Sequence, residues 1–137
     1  MSICFRTAIA AAFLFPAVAI AQKPKKAVAP PALQAEFDGF IAKFRAALKA
    51  NDSAAVSGMT RFPFEHDSSY PDSAQFRAKA YPAIFTPKTR DCIQRGKAVY
   101  DRDGDSHDNY FIFCGKNIFT FTKMSSSFLF VEIGAND

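Results

Sequence analysis

The amino-acid sequence predicts an α+β domain, with one long N-terminal helix and two or three short helices packed on a bent antiparallel sheet. Three observations predict it. Apolar residues recur at helical spacing from Leu33 to Leu48, and from residue 94 onward the apolar period becomes two. Sixteen Phe and four Tyr, with no Trp, occur in 137 residues. Each buried ring removes roughly 150–250 Å² from water, so one small domain can build a substantial core. A chain of this length holds one domain.

Residues 1–21 read as a signal peptide. Arg6 gives a basic start, "TAIAAAFLFPAVAI" is an apolar core, and Ala19-Ile20-Ala21 supplies small residues for cleavage before Gln22. Cleavage after Ala19 is an alternative. The run is shorter than the roughly 20 apolar residues that span a bilayer, and Pro16 interrupts it, so no membrane span is expected after cleavage. The expected location is periplasmic or secreted. Residues 22–32, "QKPKKAVAPPA", have little to bury and read as a flexible Lys/Pro/Ala linker. Residues 33–137 then form the domain.

Leu33, Phe37, Phe40, Ile41, Phe44 and Leu48 form one apolar stripe, with Gln34, Glu36, Asp38, Lys43, Arg45 and Lys49 on the other side. Asn51 is expected to end this helix, and Asp52 or Ser53 to cap a short second one through Gly58. "TRFPFEH" alternates around Pro63, which predicts an edge strand or a bulge. Asp72 or Ser73 caps the next helix, and Pro82 is expected to kink or end it. "TPKTRDCI" reads as one more short helical turn, with Pro87 at its start. "QRGKAVYD", "NYFIFCG", "NIFTFTK" and "SFLFVEI" then read as four strands joined by short turns, an antiparallel meander.

Loss of residues 1–21 removes Arg6 and no acid, which lowers the formal net charge from +4 to +3. That charge is mild, and no basic face is interleaved with aromatics, so nucleic acid is not an expected partner. Cys4 leaves with the signal. Cys92 and Cys114 remain, an even pair in an oxidising compartment, and a disulfide between them is expected over two free buried thiols.

Few residues suggest chemistry. "DRDGDSHDN", residues 101–109, places Asp101, Asp103 and Asp105 at alternate positions, as in the start of a calcium loop. Gly104 and Ser106 fall at the wrong positions for that loop, and Ile112 stands where its last carboxylate belongs. A solvated hairpin connection is therefore expected, with weak calcium binding as the alternative. His107 alone does not make a zinc site. Ser125–Ser127 form no nucleophile motif, and Arg90 and Arg95, flanking Cys92, are expected in solvent. No cofactor is implied.

The order of elements resembles the NTF2-like (cystatin-like) cone: a long helix, shorter helices, an early edge strand and a bent meander. Two stretches carry the resemblance further. "FDGFIAKFRAALKANDSAAVSGMTRFPF" resembles the opening of small secreted members, and "FVEIGAND" resembles their closing strand. The resemblance implies a sheet whose concave side holds any acid/base residues. Glu65, His66 and Tyr81 are the ligand-binding candidates on that reading, and Asp38, Tyr100 and Tyr110 are further polar groups. The plainer reading of "EHD", residues 65–67, is a strand end running into solvent. The resemblance also implies a homodimer through the sheet. Fold does not deliver function by itself. The favoured reading is a secreted, non-enzymatic domain of the bacterial envelope that binds a protein partner or a small apolar ligand. The alternatives are a small isomerase or lyase using a cavity acid/base, and an envelope inhibitor or immunity-type protein presenting the acidic loop.

Overall fold

A computed structural model describes residues 26–64 and 70–137. Helix α1, Pro31–Lys49, starts two residues inside the expected linker because Pro31 occupies the first helical position, where a missing N–H costs nothing. Asn51 ends the helix region with a φ of 52°. The Asp52 side chain then accepts from the Ala55 N–H and caps α2, Ser53–Gly58. Asp72 caps α3, Ser73–Gln75, in the same way.

Pro82 does not end the third helical run. A π-helical turn, Phe76–Ala80, precedes α4, Tyr81–Ile84. The wider turn lets the Tyr81 N–H reach back to the Phe76 carbonyl, and the proline falls in the first turn of the segment that follows. Helix α5, Pro87–Arg95, is longer than the single turn expected and absorbs Gln94 and Arg95, which the sequence pattern assigns to a strand. The Thr86 side chain caps it by accepting from the Thr89 N–H.

The sheet contains β1 (Val99–Arg102), β2 (Asp108–Cys114), β3 (Asn117–Lys123) and β4 (Phe128–Ala135), antiparallel and in sequence order. The α+β class follows directly: helices cover one face of a four-stranded meander. Gly115 supplies the positive φ, 62°, that the tight β2–β3 turn needs. The expected early edge strand is reduced to a single bridge from Thr60 to Phe130, followed by a cis Phe62–Pro63 peptide.

Register decides which rings face α1. Tyr110 lies opposite Phe121, and Phe121 lies opposite Phe130. All three point inward, where Phe37, Phe44 and Leu48 arrive from α1; none of the six is more than 1% exposed. Phe37 stacks parallel on Tyr110 at 3.7 Å between centroids, and Phe44 meets Phe121 edge-on at 5.1 Å. Phe85, beyond α4, closes against Phe44, Phe119 and Phe130. A bulge leaves Val131 without an opposite residue, since Phe121 pairs with Phe130 while Thr120 pairs with Glu132. Inward positions therefore switch from Phe128 and Phe130 to Ile133 along one strand.

Side-chain hydrogen bonds, a disulfide and one close backbone approach dock α5. Arg45, on the polar side of α1, donates from Nε to the Ile93 carbonyl and from Nη2 to that of Gly96, at the C-terminal end of α5 where a cation is favoured. Gln94 returns a bond to the Arg45 carbonyl at 2.7 Å. The expected disulfide joins Cys92 of α5 to Cys114 at the end of β2, with Cα atoms 6.0 Å apart. Gly96 lies so close that a Cβ there would come within 2.6 Å of Ile112 Cγ2 and 3.0 Å of the Cys92 carbonyl oxygen.

Two glycines therefore differ in what a methyl group does. Gly96→Ala is expected to cost about 1–3 kcal/mol through overpacking. Gly39→Ala, on the exposed side of α1 with nothing within 4 Å of its new Cβ, is expected to stabilise by up to about 1 kcal/mol. Urea unfolding midpoints measure both, and equal effects would refute the packing described. Reducing the disulfide is expected to lower stability by roughly 3 kcal/mol in the chain-entropy account of a loop this long. Unfolding with and without reductant measures it.

Candidate functional site

Among the described residues, those singled out from the sequence do not converge. Glu65 and His66 lie outside the described residues. Tyr81 is 6% exposed and sits among the core residues, where its hydroxyl donates to Asn51 Oδ1 at 2.8 Å in the α1–α2 connection. Burial raises its pKa, with the Arg90 charge opposing and Asp52 assisting. Asp38 accepts from Gln34 on the exposed side of α1. Arg90 is not in solvent as expected: it is half-buried and donates to the Leu48 carbonyl. Arg95 is exposed and pairs with Asp91.

The helix-facing side of the sheet offers little room for a ligand. Phe37, Phe44, Tyr110, Phe119, Phe121, Phe128 and Phe130 are each at most 1% exposed and pack ring against ring. The Tyr110 hydroxyl is used there, donating to Gln34 Oε1 at 2.8 Å. Burial, reinforced by Asp38, Tyr100 and Asp108, pushes Tyr110 up to about 12.

The acidic stretch resolves into a turn built on one residue. Asp103 Oδ1 accepts from the N–H groups of Asp105 and His107, each at 2.9 Å. Its Oδ2 lies 3.1 Å from His107 Nδ1 and accepts from Asn109 Nδ2 at 3.1 Å. Ser106, at φ 65°, makes the reversal, and its N–H donates to the Asp103 carbonyl. Ligand atoms of Asp103, Asp105 and His107 come within 4.8 Å of one another, all on exposed residues. Asp101 stays apart on β1 opposite Asn109, so the three aspartates proposed as calcium ligands are not brought together. Both Asp103 oxygens already have internal donors, which is the arrangement of a turn. The His107 backbone N–H above all holds the Asp103 carboxyl below the usual carboxylate range; desolvation opposes it, and Asn109, the His107 ring and the Asp105 N–H add to the lowering.

The open side of the sheet carries what the sequence reading missed. A cavity of about 570 Å³ is lined by Arg61, Asp103, His107, Asn109, Thr122 and Val131, among others. A second of about 520 Å³ is lined by Val99, Phe113, Ile118 and Gly134, with Lys26 and Asp101. Phe111, Thr120 and Glu132 belong to both, so the two form one trough across the strands. Its size lies in the range of small-ligand sites. Asn109, Thr120 and Thr122 are nearly buried on its floor, and Thr122 Oγ1 donates to Asn109 Oδ1 at 2.6 Å. Phe113 is 46% exposed. Alternation in β2 and β3 marks these residues as sharing a face.

No family model matches this chain, and no curated protein or solved structure matches it significantly. No helix among the described residues is long and apolar enough to cross a membrane.

The turn predicts an acid limb. Because the folded Asp103 pKa is lowered, its contribution is present above about pH 4, the unfolded value. It is lost as pH falls through the folded value. Asp103→Asn is expected to flatten that part of the stability–pH curve, read from urea midpoints of both proteins. Parallel curves would mean that the carboxylate does not organise the turn. Tyr110 acts at the other limb: its raised pKa predicts stability that is full below about pH 10 and falls as pH rises toward 12.

Proposed function

We propose that the chain is an exported binding domain of the bacterial envelope, NTF2-like in its element order, that recognises a protein through the open face of its sheet. The single observation that carries this reading is the division of the sheet. The helix side is packed with rings, while the open side presents a trough edged by Phe113. An exposed ring beside Val99, Phe111 and Ile118 is the apolar centre that association requires. Thr120, Thr122 and Glu132 provide polar surroundings. The first partner we assign to this face is a second copy of the chain, in a two-fold homodimer through the sheet. The disulfide and the apolar N-terminal stretch support export to the periplasm or beyond. The solid interior argues against an isomerase or lyase working inside a cone.

Light scattering during size exclusion tests the proposal on residues 22–137. A dimer mass is expected at micromolar concentration. Phe113→Asp, which changes an exposed position, is expected to shift the mass to the monomer and raise the dissociation constant at least tenfold. A monomer at every concentration, with no association in cross-linking of the envelope, would overturn it. A dimer indifferent to Phe113→Asp would move the interface elsewhere.

A further inference from the structure

Charge is divided across this molecule as unequally as polarity is. Setting aside Arg6, Lys23, Lys25 and Lys26 from the seventeen Lys and Arg leaves thirteen in residues 27–137, against thirteen Asp and Glu. Seven of those cations fall in two short stretches that share one acid. The second half of α1 holds Lys43, Arg45 and Lys49. Helix α5 and its exit hold Lys88, Arg90, Arg95 and Lys97, with Asp91. The fold lays these stretches side by side. Arg45 donates to the Ile93 and Gly96 carbonyls and Arg90 to that of Leu48, so the two helices run antiparallel. Lys43 and Lys97 therefore stand toward one end of the pair, and Lys49 and Lys88 toward the other; all four are exposed. The excess of six positive charges here is balanced by an excess of six negative ones over the rest of residues 27–137, so a mild net charge conceals a polarised surface.

Little within the chain offsets the charge on this face. Asp91 is taken by Arg95, and none of the other six cations is in an ion pair among the described residues. Asp52, the next acid after α1, caps α2. Arg45 and Arg90 are half-buried with carbonyls as their acceptors, and Arg90 Nε is buried with no hydrogen-bond partner. Cations drawn out of water without a counter-charge favour an anion brought to them. Shape selects the anion. Neither cavity of the trough, nor a third of about 410 Å³ beside α4, is lined by any of the seven, so no pocket there encloses a small anion. The exposed large apolar residues are Val28 and Phe113, both outside these stretches, so the face has no ring on which a base would stack and no wedge that would enter lipid tails. We propose that the α1–α5 face adsorbs to an anionic lipid bilayer, held to its headgroup phosphates by charge and without insertion. This face lies on the helix side of the sheet, away from the trough, so the proposal does not depend on the dimer.

Flotation of residues 22–137 with lipid vesicles tests it. Binding is expected to vesicles of equal parts phosphatidylglycerol and phosphatidylcholine, with none to phosphatidylcholine alone. Release is expected as sodium chloride rises to about 0.5 M, where charges are screened within a few ångströms. A variant carrying Lys43→Gln, Lys49→Gln, Lys88→Gln and Lys97→Gln, all at exposed positions, is expected to raise the vesicle dissociation constant at least tenfold. A second variant carrying Arg77→Gln, Lys79→Gln, Arg102→Gln and Lys116→Gln loses the same charge from other exposed positions, keeps the same Lys-rich tail, and is expected to retain most of the binding. Equal losses in the two variants would assign the effect to net charge and overturn the proposal. So would binding indifferent to salt, or no binding to the phosphatidylglycerol vesicles. Retention on heparin with none on vesicles would overturn the lipid in favour of a soluble polyanion. The readout is the same for a monomer and a dimer.

Discussion

The structure depends on the packing of one helical stripe against one sheet face. Phe37 and Phe44, two turns apart on α1, meet Tyr110 and Phe121 on adjacent strands. Burial of a large apolar side chain contributes roughly 1.5–3 kcal/mol, and well-placed ring pairs add about 0.5–1.5 kcal/mol. Each further element meets the same aromatic layer. The cis Phe62–Pro63 segment brings in Phe64 against Phe76 and Phe130, and α4 is followed by Phe85. Once this layer is complete, the helix side has been used for stability. Among the described residues, no helix covers the other side of the sheet.

The second layer is held by directed contacts. The apolar contribution of α5 to the buried core is Ile93 alone. Its position comes from Arg45 at its C-terminal carbonyls, from Gln94, from the disulfide and from the bare backbone of Gly96 against Ile112. These are short-range and geometric. They set where α5 stops, and hence where β1 begins, three residues beyond Gly96. The start of the meander is thereby tied to the middle of α1.

Much of this was legible in the residues. The α1 stripe, the Asn51 stop, the Asp52 and Asp72 caps, the cysteine pair and the four strands are local patterns, and local patterns survive folding. What was not legible depended on distant partners. Arg45 looks like any solvated base on a polar helix side until α5 arrives beneath it. Pro82 reads as a terminator because periodicity does not show a π turn. Gln94 and Arg95 continue an alternating run, yet the Thr86 cap and Pro87 commit them to helix. In the acidic loop, spacing gave three equivalent aspartates. The fold makes Asp103 the hub and leaves Asp101 on a strand. The trough was invisible for another reason: Thr120, Thr122 and Asn109 are ordinary outward strand residues, and only their pairing side by side across β2 and β3 makes them a floor.

The bulge at Val131 has an evolutionary consequence. A regular strand can lose or gain a residue at its end with little harm. In β4 the two halves are set one position out of phase, with Phe128 and Phe130 sealing the aromatic layer and Glu132 and Gly134 facing the trough. Val131 is the extra residue: without it Phe130 stays inward and Glu132 outward in a regular strand, whereas a further residue inserted beside it would turn one half over, placing rings in water or a carboxylate among rings. Loss of the bulge residue is therefore the one-residue change this strand can absorb, and otherwise the lineage can remodel the trough from β4 by substitution more readily than by insertion.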